Sequence, residues 1–139
     1  MPDRSAFSQK LVHWVIWFAL TSSIVVYQLV LGHGIPHGVN SRVAQMPPIV
    51  AVASVEIIAA AAIRWLLVPR TRVAGRLLVL MIIGLGLSES AEFFGLFLVP
   101  NDQPETKLAF WILSLLSAFQ FIPTYIRRIS HPNDAFHQS

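Results

Sequence analysis

Apolar residues in this chain fall in long blocks rather than at strand or amphipathic-helix spacing. Four runs, over residues 11–31, 47–68, 77–99 and 108–126, are broken by only a few polar side chains each. A helix needs roughly 20 apolar residues to cross about 30 Å of hydrocarbon. The pattern therefore predicts an all-α, integral membrane four-helix transmembrane bundle, with residues 1–139 forming a single transmembrane domain.

Local punctuation supports these limits. Pro47 and Pro48 open the second run, where a missing N–H costs nothing. Pro69 closes it, Pro100-Asn101-Asp102 closes the third, and Pro123 with Arg127-Arg128 closes the fourth. The first run follows Arg4 and Lys10 as a secretion signal would. A signal core is shorter, about 7–15 residues, and ends in a small-residue cleavage site; the first run is therefore expected to be a retained span. Trp14, Trp17, Trp65, Trp111, Tyr27 and Tyr125 lie towards the span ends, as in interfacial belts.

Composition agrees. Hydrophobic residues make up 55% of the chain, charged residues 12%, and mean hydropathy is +0.62, outside the soluble range. With no cysteine, a disulfide framework, iron–sulfur clusters and cysteine-ligated zinc are excluded. The net charge of +3 does not indicate nucleic acid, because the bases gather at the ends of apolar runs. Eight lysines and arginines lie at the N-terminus, around the second connection and at the C-terminus, against two (Arg42 and Lys107) in the other connections. Positive charge stays inside, so both termini are expected to be cytoplasmic (N-in/C-in), in a bacterial inner membrane.

Against this background, two acidic residues stand out. Glu56 and Glu89 lie near the middle of the second and third runs, and the basic turn around Arg72 falls midway between them. A charge at mid-bilayer costs roughly 2.5–3.5 kcal/mol on insertion scales, so such residues face protein and mark ion or proton sites. A helical hairpin sets both at one depth. Two carboxylates in low dielectric cannot both ionise cheaply, so the pair is expected to share a proton or to hold a hard cation such as sodium. Glu92 follows one turn after Glu89, and Ser88 and Ser90 add hydroxyls beside it.

Small residues suggest how the hairpin packs. Gly84, Ser88, Ala91 and Gly95 form one stripe on the third span, and the second carries Ala51, Ala53, Ser54 and the alanine run 59–62. Small residues let helices approach closely in lipid, so spans two and three are expected to pack tightly with Glu56 near Glu89.

The stretch Ile83-Gly84-Leu85-Gly86-Leu87-Ser88-Glu89-Ser90, with Gly75-Arg76-Leu77 before it and Phe94-Gly95-Leu96 after it, resembles the ion-carrying helix of the proteolipid (c) subunits of rotary ATP synthases. The resemblance covers about residues 47–99. It implies an ion-binding hairpin in which Glu89 carries the proton or sodium ion, Ser90 supports it, and Glu56 completes the site from the other helix. Alanines stand where the family has a dense glycine repeat, and Glu92 is an additional acid.

Histidines offer less. His13, near the inner end of the first span, could ligate a haem or pigment, or hydrogen-bond a neighbouring helix. His33 and His37 sit in a glycine-proline loop with no third ligand nearby, so no metal site is expected. Gln28 and Gln120 are expected to bridge helices. No phosphate-binding loop or nucleophile motif is present. The sequence thus leads to a non-catalytic membrane subunit binding a proton or sodium ion at Glu56, Glu89, Glu92 and Ser90, surrounded by lipids, in a homo-oligomer or larger energy-converting complex. The alternatives are an accessory structural subunit or a haem-carrying anchor.

Overall fold

The structure, a computed structural model, describes residues 4–40 and 47–124. Four helices form among them. α1 spans Arg4–Val30 and α2 spans Pro47–Ala62, the latter extended by a π turn over Ile63–Leu67 and a 3-10 turn over Val68–Arg70. α3 spans Ala74–Phe93 and runs on through a π turn at Phe94–Leu98; α4 spans Pro104–Phe119. Three stretches, Phe7–Val30, Pro48–Arg70 and Ala74–Leu98, are long and apolar enough to cross a membrane. This is an integral membrane protein by the length and composition of its helices.

α4 has 16 residues, a rise of about 24 Å, and it stops before the expected limit of residue 126. Pro123 has no N–H to continue the ladder and disfavours helical geometry in the residue before it; the chain turns at Gln120 and Phe121 instead. At its other end α4 is tied down from the connection that follows α1. The Asn40 amide oxygen accepts from the Glu105 backbone N–H at 3.1 Å, and its nitrogen donates to Thr106 Oγ1 at 3.2 Å.

α3 is the centre of the bundle, packed against α1, α2 and α4. Leu77, Met81, Gly84, Leu85, Ser88, Ala91 and Glu92 are all buried along it. Neighbouring pairs fix the register: α1 is parallel to α3, with Ser23 beside Glu89 and Tyr27 beside Phe93. α4 is antiparallel, with Phe121 at Gly84, Ser117 at Ser88 and Phe110 at Gly95.

The core falls into two apolar clusters with a polar level between them. One holds Ile24, Ala60, Met81, Leu85, Ala118 and Phe121; the other holds Ala53, Ala91, Val99 and Phe110. Val15, Phe18, Val55, Ile58, Ile83 and Leu116 are exposed, as lipid-facing positions should be. Serines and a glutamate inside with aliphatics outside reverse the soluble pattern, because packing and hydrogen bonds, not burial from water, drive association in lipid.

Candidate functional site

The polar level is built from α1 upward. Ser23 has no water to bond within an apolar span, so its hydroxyl turns back to the Leu20 carbonyl at 2.7 Å, a common habit of serine in membrane helices. The same oxygen lies 2.5 Å from Glu89 Oε1 on α3. Ser23 thus joins α1 to α3 at the carboxyl group singled out by the sequence. On the adjacent face of α3, Ser90 Oγ donates to Glu56 Oε1 of α2 at 3.0 Å.

Glu56 and Glu89 therefore sit at neighbouring levels, but each takes a serine and no hydrogen bond joins them. Consecutive residues on a helix point about 100° apart, so Ser90 facing α2 turns Glu89 towards α1. The structure brings Glu56 to Ser90 as expected, and separates the direct carboxylate pair into two serine–glutamate contacts. Glu56 Oε2 is buried without a partner among the described residues.

Glu92 is the most enclosed of the acids, at 1% exposure. Neither of its carboxyl oxygens has a hydrogen-bond partner among the described residues. It lies between Ser88 and Gly95 on the side of α3 covered by other helices. A buried ionised carboxylate with no partner is too costly to persist. No three acidic, histidine or cysteine side chains among the described residues close into a metal-holding group.

A hydroxyl line runs from this level towards the end of α4. Gln120 Nε2 donates to Ser117 Oγ at 3.2 Å, Ser117 and Ser88 are 2.8 Å apart, and Ser88 donates to the Gly84 carbonyl at 3.0 Å. Ser114, fully buried on α4, has an unpartnered hydroxyl. Ser23, Ser114 and Ser117 were not picked out as site residues by sequence reasoning. The signal was present: each is a hydroxyl in a lipid-length apolar run, where it must find a protein partner.

The small stripe serves a different neighbour from the one expected. Gly84 meets the Phe121 ring, Ser88 meets Ser117, and Gly95 meets the Cβ of Phe110, where an added Cβ would fall at 2.6 Å. All three partners are on α4 or the turn after it. Only Ala91 shares its cluster with an α2 residue, Ala53, alongside Phe110. The correction has a simple cause: a stripe of small residues admits the bulkiest neighbour, and the phenylalanines are on α4 and the turn after it, not on alanine-rich α2.

The expected bridging glutamines also act otherwise. Gln28 Nε2 donates to the Gly34 carbonyl at 2.7 Å and anchors the loop that follows α1. The Gln120 side chain stays within its own turn, while its backbone carbonyl accepts from Arg64 Nε. Carbonyls at a helix end lack the usual intrahelical partners; Trp17 Nε1 donates at 3.1 Å to the Ala118 carbonyl, which also accepts from the Phe121 backbone N–H at 3.0 Å. His13 is 3% exposed, with Nδ1 against the Gln9 carbonyl at 2.8 Å and Nε2 buried without a partner. His33 and His37 are exposed in the loop.

Comparison with protein-family models, with curated proteins and with solved structures finds no match to this chain.

Proposed function

We propose that the protein is a small polytopic membrane subunit that takes up and releases a proton, or a sodium ion, at an intramembrane carboxyl level formed by Glu56, Glu89 and Glu92 with Ser90 and Ser23. It works in a homo-oligomer or a larger energy-converting membrane complex, since one small bundle supplies no driving reaction. In this reading α4 completes a fourth crossing together with the residues after it, both termini are cytoplasmic, and the membrane is a bacterial inner membrane.

The observation that carries the proposal is Glu92, enclosed at 1% exposure with both oxygens unpartnered. A structural acid in lipid gains its place through partners; this one has none among the described residues, which favours a mobile cation as its complement. Ser23 favours a proton. It has one hydrogen and two oxygens within 2.7 Å, the Leu20 carbonyl and Glu89 Oε1. A proton on the Glu89 carboxyl supplies the second hydrogen and satisfies all three groups.

The test is modification by dicyclohexylcarbodiimide, which reacts with protonated intramembrane carboxyl groups. Labelling at Glu89 or Glu92 is expected, located by mass spectrometry. Protection by sodium identifies that ion as the cargo, and labelling indifferent to sodium identifies the proton. An unlabelled protein, with full biological activity in a variant combining Glu56→Gln, Glu89→Gln and Glu92→Gln, would falsify the reading in favour of a structural subunit.

A further inference from the structure

Far from the carboxyl level, at the turn joining α2 to α3, an apolar groove of about 360 Å³ is lined by Leu67, Thr71, Gly75, Arg76, Val79 and Leu80. Small-molecule sites fall in the range of about 300–1,000 Å³. Arg76 is exposed at the groove, and Arg70 and Arg72 are exposed in the turn beside it. No acidic residue occurs between Glu56 and Glu89 to balance them. Among the described residues, their side chains enter no hydrogen bond or ion pair. The Thr71 hydroxyl is already engaged with the Leu67 carbonyl at 2.9 Å, so the polar capacity left at the groove is cationic.

The dimensions carry the argument further. From Ala74 to Leu80, α3 rises about 9 Å, taking the groove from the basic turn into the apolar part of the span. One end offers guanidinium groups that have no partner among the described residues, and the other offers Leu67, Val79 and Leu80. A soluble anion would use only the first end. An acyl chain without a charged head would use only the second.

We propose that this groove is a binding site for an anionic phospholipid, its phosphate held by Arg72 and Arg76 with Arg70 adding attraction, and the start of one acyl chain lying along Leu67, Val79 and Leu80. Charge complementarity selects the occupant: anionic lipids are the negative, amphipathic partners present wherever this turn meets the membrane surface. The site stands apart from the proposed ion level and survives or fails independently of it.

Full-length protein in uncharged detergent, titrated with phosphatidylglycerol or phosphatidylcholine and read by native mass spectrometry, tests this. Retention of phosphatidylglycerol over phosphatidylcholine is expected, weakening as sodium chloride is raised. Neutralising an arginine near a headgroup should cost about fivefold in affinity, so a variant combining Arg72→Gln and Arg76→Gln should lose about twenty-fivefold. Val79→Trp, which keeps every charge and fills the groove, should also lose binding. Both changes are at exposed positions, and unaltered thermal unfolding checks the fold. Equal retention of the two lipids overturns the proposal. So does phosphatidylglycerol binding indifferent to Val79→Trp, which would mean surface attraction without a groove, or displacement by millimolar inorganic phosphate, which would mean a soluble-anion site. A dimer that Val79→Trp dissolves would assign the groove to a second copy of the chain and overturn it equally.

Discussion

Gly84 of α3 lies against the ring of Phe121, so closely that a Cβ at position 84 would overlap it. Phe121 is fully buried and has no room to yield. Overpacking of this kind typically costs about 1–3 kcal/mol, so Gly84→Ala should lower the free energy of unfolding in detergent by that much. Gly86 provides the control: a Cβ there meets nothing within 4 Å, and Gly86→Ala should be neutral or slightly stabilising through helix propensity. Equal effects at both positions would mean that α4 does not pack on this stripe.

Glu92 leads to an expectation of opposite sign. Replacing a buried polar group that has no partner by an apolar one of similar shape is neutral or stabilising. Glu92→Leu should therefore raise stability by up to about 2 kcal/mol while abolishing any ion-dependent activity, a stability gained at the expense of function. Thermal unfolding and carbodiimide labelling on the same preparations check both halves. A marked loss of stability would mean that Glu92 has a protein partner.

The link between Ser23 and Glu89 is measurable by a double-mutant cycle. Interhelical hydrogen bonds in membrane proteins average about 0.6 kcal/mol and reach about 1.7. At 2.5 Å to a carboxyl oxygen, this one should lie in the upper half of that range. Ser23→Ala, Glu89→Gln and the double variant, unfolded in parallel, give the coupling energy. Additive effects would break the proposed contact between α1 and α3.

Topology follows from labelling a chain that has no cysteine of its own. Thr71→Cys places a thiol in the basic turn, and His37→Cys places one in the glycine-proline loop. An impermeant maleimide should reach position 37 in intact cells and position 71 only in inverted vesicles. The reverse pattern would turn the whole bundle over.

Much of the fold was legible in apolar run length. Residues 11–30, 47–68 and 77–98 of the expected runs fall within the extended helices of the structure, because in lipid every backbone group must bond within its own helix and length alone decides the crossing. Neighbour choice was not legible. The stripe Gly84, Ser88, Gly95 announces a close approach, but periodicity identifies a face and never the helix that covers it. The site was half readable: a glutamate in an apolar run is conspicuous, whereas a serine there is common, so Ser23 and Ser117 were passed over. Glu92 was read as support for Glu89, and its full enclosure depends on α4 and the covering of α3 from several sides, which no single span reveals.

Because α3 receives Phe121, Ser117 and Phe110 from α4 and the turn after it, the bundle is incomplete until α4 has been made. While the ribosome is still making residues beyond α3, Gly84, Ser88 and Gly95 form an open trench in the lipid, and the serine hydroxyl in it has only its own helix to bond. A chain interrupted before α4 would carry that trench permanently, offering membrane quality control a mark by which to tell unfinished copies from finished ones.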